Sequence, residues 1–193
     1  MSDQPEAPRR PWKTAQWITL AVIFVILLAV VCAGLPAARE KARRASCLGN
    51  LHCCTLGFTM YADEYQGRCP VDEQVTLIGS YRLLSNFVTS ARAFFCPSDM
   101  RPGARFEADY SKLTTQNVSY SYVPNLMCNN GRTNMILWLD RIYVTERGSK
   151  WPGDGNHGSA GGNVAFTDGH AAFFAKLPSA LQDKDGNYVV LSP

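Results

Sequence analysis

Hydrophobic residues form one uninterrupted block near the N-terminus. No charged side chain occurs between Thr14 and Ala38, and the stretch Trp17–Leu35 is apolar almost throughout. About 20 helical residues cross a hydrocarbon core of roughly 30 Å. The pattern therefore predicts a transmembrane helix over residues 17–35, preceded by a cytoplasmic tail over residues 1–16. A secretory signal peptide is the alternative, but its apolar region is usually shorter, about 7–15 residues.

A helical pattern continues beyond the apolar block. Apolar or aromatic residues recur at spacings of three and four residues, at Leu51, Cys54, Phe58, Tyr61 and Tyr65. One interpretation is a separate amphipathic helix on a small domain. The other joins residues 36–66 to the membrane segment as one long helix, bent at Pro36 and ended by Gly67 and Pro70.

The remaining residues, 67–193, alternate between short apolar runs and turn-forming residues. Ile78–Phe87 is predicted to be a short helix, and Ala91–Phe95 a strand. Strands are also predicted at Val118–Val123, Met135–Val144 and Tyr188–Leu191. The fold class is therefore α+β, with a long N-terminal transmembrane-to-soluble helix packed on a small antiparallel sheet with long loops.

A β-hairpin is predicted around Asp168-Gly169. Two β-prone runs flank this dipeptide, which suits a two-residue turn with positive φ at both central positions. In that register Val164, Phe166, Ala171 and Phe173 share the buried face. His170 lies opposite Thr167 on the other face.

Composition and charge exclude several classes of protein. The formal net charge is only +3, and no basic stripe marks a nucleic-acid surface, so no nucleic-acid partner is predicted. No nucleophile elbow, phosphate-binding loop or paired-carboxylate motif accompanies the three histidines, and the chain is not predicted to be an enzyme.

The basic residues that flank the apolar block on both sides do not decide its orientation in the membrane. The cysteines give separate evidence on the compartment that contains the folded domain. Six of the seven cysteines lie outside that block. An even number in a small, loop-rich domain indicates disulfides and an oxidising compartment, with the pairing left open. A cytoplasmic zinc cluster around His52, Cys53 and Cys54 is the alternative.

Two groups of residues are candidate sites for a divalent metal. His157, Asp168 and His170, with Asp154 nearby, combine imidazole and carboxylate ligands of the kind that zinc accepts. The alternative is that Asp168 forms the hairpin turn and His157 hydrogen-bonds its loop.

The second group is Asp183, Asp185 and Asn187, which resembles the start of a calcium-binding loop. Its alternative is an ordinary turn at Asp185-Gly186. No cofactor besides a divalent metal, calcium or zinc, is predicted.

Motifs along nearly the whole chain resemble one family. They are Leu35-Pro36-Ala37 with the basic helix that follows, Tyr61-Ala62-Asp63, Phe95-Cys96-Pro97-Ser98-Asp99, Ser119-Tyr120, and the segment from His157 to His170. Together they resemble the pilin-like proteins with the prepilin-processing-associated H-x9-DG domain, the DUF1559-type family. Ten residues rather than nine separate His157 from Asp168, which indicates one extra residue in the glycine-rich loop.

The resemblance implies a pilin-like fold and a structural role. It implies a single-pass pilin or pseudopilin-like subunit of a type II secretion or type IV pilus-like assembly in the bacterial inner membrane, with a periplasmic or extracellular domain over residues 67–193. Its partners would be membrane lipid and other pilin-like subunits, which the N-terminal helix contacts through Ala21, Ala29, Ala33 and Gly34.

The N-terminus departs from the family pattern. Aligned on Pro36, Thr14 replaces the glycine at the prepilin cleavage site, and Thr19 replaces the glutamate that meets a neighbouring subunit. The alternative function is therefore an uncleaved membrane anchor that presents a periplasmic binding module, with loops around His157 and Asn130-Gly131 contacting glycan, peptide or metal.

Overall fold

The structure is a computed structural model that describes residues 13–124, 135–142, 151, 153–178 and 190–193. The chain divides into two compact units, Met1–Glu40 and Lys41–Pro193. Helix α1 spans Thr14–Glu64, 51 residues with Pro36 inside it. This confirms the prediction of one long helix rather than two. The helix is long and apolar enough to cross a membrane.

In the first unit, the apolar side chains of α1 are exposed. Phe24 and Val30, for example, are each 66% exposed. The hydroxyl of Thr19 donates a hydrogen bond to the Ala15 carbonyl oxygen at 2.9 Å, one turn earlier in the same helix. The polar atom of this side chain is therefore satisfied within its own helix.

In the second unit, one face of α1 is buried. Cys47, Leu51, Cys54 and Phe58 are at most 1% exposed, which confirms most of the predicted periodicity. Tyr65, also predicted to be on this face, is 44% exposed and stacks on Tyr61 with ring centroids 4.2 Å apart. It lies at the end of the helix, where the chain turns away.

The helix ends as the glycine and proline pattern predicts. Gln66 and Gly67 both have positive φ, at 59° and 81°, and the Gly67 N–H donates to the Ala62 carbonyl oxygen at 2.6 Å. A left-handed backbone of this kind caps the last carbonyl groups of a helix and stops its propagation.

A short helix and several 3-10 turns connect α1 to the sheet. Helix α2 spans Leu77–Leu83 and is capped by the Thr76 hydroxyl, which accepts from the Gly79 N–H. The predicted strand at Ala91–Phe95 is wrong, because Ala91–Phe94 is a 3-10 helix. The Ser90 hydroxyl accepts from the Arg92 N–H and so caps this turn, which local side-chain bonding favours over an extended strand. The other 3-10 turns are Leu84–Asn86, Tyr110–Lys112, Thr115–Asn117 and Gly158–Ala160.

Four antiparallel strands form one sheet in the order β1-β2-β3-β4. They are β1 (Tyr120–Tyr122), β2 (Ile136–Asp140), β3 (Gly162–Phe166) and β4 (Ala171–Phe174). These strands confirm the α+β class and the antiparallel sheet. Of the last predicted strand only its end is described, and there Leu191 forms an isolated antiparallel bridge with Tyr122.

The hairpin of β3 and β4 has a longer turn than predicted. The Phe166 N–H donates to the His170 carbonyl oxygen at 2.9 Å, and the Gly169 N–H donates to the Phe166 carbonyl oxygen at 3.0 Å. The loop therefore contains three residues, Thr167, Asp168 and Gly169. Gly169 has φ 92°, whereas Asp168 is not in the positive-φ region. A three-residue loop with a left-handed third residue is a common alternative to the two-residue turn.

The extra loop residue changes the register of β4. Val164 pairs with Ala172, and Ala165 pairs with Ala171. The predicted face shared by Val164, Phe166, Ala171 and Phe173 is therefore wrong, as is the pairing of His170 with Thr167. Because side chains alternate along a strand, a shift of one residue moves every β4 side chain to the opposite face.

Both faces of the sheet are covered by apolar residues. On one face, Tyr122, Trp138 and Ala165 join the main core with the buried stripe of α1. On the other face, Leu139 and Val164 pack with Trp151 in a second cluster. The hydroxyl of Tyr81 in α2 donates to the Tyr120 carbonyl oxygen at 2.9 Å, which joins α2 to the edge strand of the sheet.

Close packing of α1 at Gly57 provides a test of this core. A Cβ atom at Gly57 would overlap the Val88 side chain, whereas one at Gly49 meets nothing within 4 Å. We expect Gly57→Ala to lower the free energy of unfolding by about 1–3 kcal/mol through overpacking. Gly49→Ala, the matched control, should raise it by about 0.5–1 kcal/mol because alanine favours the helix. Urea unfolding of the full chain in detergent measures both, and equal effects of the two variants would contradict this packing.

Candidate functional site

His170 and Asp168 lie together on the turn of the β3–β4 hairpin. The Nδ1 atom of His170 is 2.6 Å from Oδ1 of Asp168, and the His170 N–H donates to the same oxygen at 3.1 Å. The His170 ring stacks on Phe166 with centroids 4.1 Å apart. Two of the three predicted zinc ligands are therefore neighbours, and Asp168 forms the turn.

The third predicted ligand, His157, has different partners. Its side chain is fully buried. Its Nε2 atom lies 3.4 Å from Oδ2 of Asp140, 3.1 Å from Nδ2 of Asn163 and 3.8 Å from Sγ of Cys96. The structure does not group His157 with Asp168 and His170, and a zinc site of those three residues stays a prediction.

Asp183, Asp185 and Asn187, the predicted calcium ligands, lie outside the described residues, and so does the Asn130-Gly131 loop. The calcium site stays a prediction. His52, from the alternative zinc cluster, places Nδ1 3.0 Å from the Gly169 carbonyl oxygen.

A buried polar cluster lies where the sheet meets the loops, and His157 belongs to it. We define this cluster by its members, all buried: Asp99, Asp140, Arg141, Asn156, His157 and Asn163. The elements that supply them are the loop after the 3-10 turn at Ala91–Phe94, the end of β2, the loop before β3, and β3 itself. Burial of this many polar side chains requires that they satisfy one another.

Asp140 is the centre of one half of the cluster. Its Oδ2 accepts from the Asn163 backbone N–H at 2.6 Å, and its Oδ1 accepts from Nδ2 of Asn156 at 2.9 Å. Burial raises the pKa of the Asp140 carboxyl, although the neighbouring His157 and these hydrogen bonds oppose that rise. Ionisation of Asp140 as the pH rises therefore costs folding free energy.

Asp99 is the centre of the other half. Arg101 donates to both carboxylate oxygens, with Nη2 2.7 Å from Oδ2 and Nε 3.1 Å from Oδ1. Nη1 of the fully buried Arg141 is 3.8 Å from Oδ1 of Asp99. Burial works against ionisation of Asp99, but the hydrogen bonds from Arg101 outweigh it and lower the pKa of this carboxyl. The ionised form of Asp99 therefore stabilises the fold.

A disulfide borders the cluster. Cys47 of α1 and Cys96 are joined, with Cα atoms 5.2 Å apart and a sequence separation of 49. A loop of this length removes unfolded-state entropy worth about 4 kcal/mol in the chain-entropy account. The predicted presence of disulfides is confirmed at this pair; Cys53 and Cys54 are thiols, and Cys128 lies outside the described residues.

A cavity of about 410 Å³ opens beside α1. It is lined mainly by apolar atoms, and its walls include Ser46, Asn50 and Cys53 of α1 and Phe95, Pro97 and Phe106. The guanidinium of Arg92 lies over the Phe106 ring, 4.8 Å from its centroid. The exposed Cys53 thiol is the nucleophilic group in this wall.

Most members of the buried polar cluster are not among the site residues predicted from the sequence, including Asp140, Arg141, Asn156 and Asn163. One signal was available: the adjacent charges of Asp140 and Arg141 interrupt the apolar run Met135–Val144. Charged residues inside an apolar strand are buried only when they are paired. No local pattern marks Asn156 and Asn163, which belong to the cluster because of where the chain folds.

No protein-family model, curated protein or solved structure matches this chain. The resemblance to the H-x9-DG family stays a prediction that rests on its motifs. Three of those motifs meet at the buried polar cluster, since Cys96 and Asp99, Ser119, and His157 all lie in or beside it. The Ser119 carbonyl oxygen accepts from Nδ2 of Asn156 at 2.7 Å. The buried polar cluster therefore links the loops to the sheet.

The ion pair at Asp99 predicts a pH-dependent stability. We expect Asp99→Asn to lower the free energy of unfolding at neutral pH by about 3–5 kcal/mol, because the buried ion pair with Arg101 is broken. The stabilisation from ionised Asp99 is complete above its unfolded pKa of about 3.9 and is lost as the pH falls through its lower folded pKa. The difference in free energy of unfolding between variant and wild type should therefore decrease below about pH 4.

Urea unfolding of the full chain in detergent, at neutral and acidic pH, measures this difference. The matched control is Asp109→Asn, because Asp109 is an exposed carboxylate that also accepts hydrogen bonds from Ser111. The control should change stability little at either pH. A loss for Asp99→Asn that is the same at every pH would show that ionisation of Asp99 is not its source.

Proposed function

We propose that this chain is a single-pass, membrane-anchored structural subunit, similar to a pilin or pseudopilin of a type II secretion or type IV pilus-like assembly. The observation that carries the proposal is helix α1, a single element of 51 residues. Its first part has an apolar, exposed surface, and its later part supplies the buried stripe of the second unit.

The exposed apolar surface of α1 supports a membrane location. Large apolar side chains from Trp17 to Leu35 are between 40% and 66% exposed, a contiguous apolar surface that water does not favour. Lipid chains or the apolar helices of other subunits would remove it from water. No carboxylate or ammonium group lies in this segment to oppose insertion.

The disulfide supports an oxidising compartment as the location of the second unit. Cys47–Cys96 lies fully buried within that unit, and disulfides persist in oxidising compartments such as the bacterial periplasm. We place the N-terminus in the cytoplasm and the second unit on the periplasmic or extracellular side of the inner membrane. No described feature calls for a nucleic-acid partner in this proposal.

A structural role also fits the chemistry of the buried polar cluster. His157, Asp140 and Asp99 are each at most 7% exposed, so a substrate in solution has little access to them. A cluster so placed serves the fold rather than a reaction. The absence of enzymatic activity remains part of this proposal.

A second candidate function is an uncleaved anchor that carries a periplasmic binding module and does not polymerise. Thr19 favours it. The pilins that the chain resembles have a glutamate at this position, and that glutamate pairs with a neighbouring subunit. The Thr19 hydroxyl instead donates a hydrogen bond to the Ala15 carbonyl oxygen of its own helix at 2.9 Å. Such a helix requires no polar partner within the membrane.

Cysteine crosslinking in native membranes tests the subunit proposal. In a background that lacks the exposed thiols of Cys32 and Cys53, Ala29→Cys places a thiol among the small residues. Val31→Cys is the matched control, because a shift of two residues from Ala29 turns the side chain by about 160° around the helix. We expect oxidation to give crosslinked dimers with Ala29→Cys and several-fold fewer with Val31→Cys, since small residues bring helices close. Equal, low yields from both would favour the lone anchor.

The mass of the protein recovered from native membranes separates the two candidates independently. If the chain is processed as pilins are, cleavage follows Thr14 and the mature chain begins at Ala15. An intact N-terminus would favour the uncleaved anchor. Intact-mass spectrometry reads the outcome directly, and a Thr14→Gly variant, which restores the residue of the family pattern, is the control for access by the peptidase.

A further inference from the structure

Ligand atoms of three buried side chains converge next to Asp140. The Sγ atoms of Cys47 and Cys96 and a ring nitrogen of His157 all lie within 4.8 Å of one another. Oδ2 of Asp140 is 3.4 Å from His157 Nε2. Two sulfur atoms and one imidazole nitrogen are thus gathered in a buried part of the second unit, and one carboxylate oxygen lies beside the imidazole. The disulfide occupies two of these four positions.

Two distances from His157 match the spacing of ligand atoms around a tetrahedral ion. Zinc bonds of about 2.0–2.3 Å place two ligand atoms of a tetrahedron about 3.3–3.8 Å apart. His157 Nε2 already lies 3.8 Å from Cys96 Sγ and 3.4 Å from Asp140 Oδ2. The sulfur pair is the exception, because it is covalently bonded. Once that bond is broken, rotation of the cysteine side chains separates the two sulfur atoms.

His157 presents the nitrogen that a metal requires. Nδ2 of Asn163 lies 3.1 Å from His157 Nε2, and an amide NH2 group donates but does not accept. With this side-chain orientation, Nε2 carries a lone pair rather than a proton. A ring nitrogen has one lone pair, so a zinc ion at Nε2 would take the place of this amide hydrogen.

Asp140 is oriented as a fourth ligand by two asparagines. The Asn163 N–H and the Asn156 amide hold its two oxygens at 2.6 and 2.9 Å. A divalent cation at this position would compensate the buried negative charge.

We propose that Cys47 and Cys96, once reduced, bind one zinc ion together with His157 and Asp140, so that zinc and the disulfide are alternative occupants of the same place. A dithiol reductant supplies two electrons and two protons, which break the S–S bond and give two thiols, and the reductant becomes a disulfide. Each thiol then releases its proton as it binds zinc. Thiolate and imidazole ligands select zinc over calcium and magnesium, which prefer oxygen ligands.

The proposal differs from the zinc site predicted from the sequence and does not rest on the proposed function. It uses His157 but replaces Asp168 and His170, which lie on the exposed turn, by two cysteines and Asp140. All four side chains of the proposed site are buried. A buried site with four protein ligands is typical of structural rather than catalytic zinc.

Cobalt(II) is a suitable spectroscopic probe for this site. The untagged full chain in detergent, reduced with a phosphine, should bind one Co²⁺ per molecule. Thiolate-to-cobalt charge-transfer bands and intense d–d bands would then report a tetrahedral site with sulfur ligands, and Zn²⁺ should displace the cobalt. The oxidised chain should show neither set of bands.

Variants assign the bands to residues. Cys47→Ser should remove most of the charge-transfer intensity, because one of the two thiolate ligands is lost. Cys53→Ser is the matched control, because this exposed thiol lies on the same helix and should leave the bands unchanged. Bands that disappear in Cys53→Ser, or persist in Cys47→Ser, would place the metal elsewhere and overturn the proposal.

Thiol protection in the wild-type chain decides the question even if a variant fails to fold. With Zn²⁺ bound, Cys47 and Cys96 should resist alkylation and should not re-form the disulfide with oxidised glutathione until a chelator is added. Cys53 should be alkylated at the same rate with and without zinc. If the reduced chain gives no cobalt bands and zinc protects neither cysteine, the proposal is wrong.

Discussion

The covalent bond between Cys47 and Cys96 is the constraint on which the second unit depends. It joins α1 to the start of the Cys96-Pro97-Ser98-Asp99 loop at a sequence separation of 49. The bond therefore holds two distant parts of the chain together at the main core. The buried stripe of α1 then lies against Tyr122 and Trp138 of the sheet. A domain of this size with short strands gains substantially from a crosslink, because the entropy that the bond removes belongs to the unfolded chain.

The buried polar cluster builds on the same place. Burial raises the pKa of both of its carboxyl groups, but the net shifts are opposite. The pKa of Asp99 is lowered because the hydrogen bonds from Arg101 outweigh burial, whereas that of Asp140 is raised because burial outweighs its hydrogen bonds. A buried ion pair contributes little net stability over apolar residues, but breaking it is costly. Such a cluster therefore fixes how the loops dock, and the motifs Cys-Pro-Ser-Asp, Ser-Tyr and His converge on it because each supplies one part of a shared set of hydrogen bonds.

The proposed zinc site gives the same residues a second state. In an oxidising compartment the sulfur atoms of Cys47 and Cys96 are bonded to each other, and in a reducing one their thiolates are suitable ligands for zinc. In both environments α1 would then be linked to the loop at Cys96, either by a covalent bond or by a metal. The same fold would therefore be stabilised before and after the protein meets oxidising conditions.

The sequence by itself determined the elements whose cause is local. The uncharged run, the three-and-four spacing from Leu51 to Tyr61, and the β-prone runs around Asp168-Gly169 correctly predicted α1, its buried face and the β3–β4 hairpin, because periodicity and turn chemistry act within a few residues. Only the tertiary structure decided the rest. The β4 register followed from one additional loop residue, the 3-10 turn at Ala91–Phe94 replaced a predicted strand, and the partners of His157 came from β2 and β3. The partners of His157 depend on which distant groups can satisfy a buried side chain, and no regular spacing in the sequence reveals them. The register and the 3-10 turn depend on single hydrogen bonds at Gly169 and Ser90, which a hydrophobicity pattern does not show.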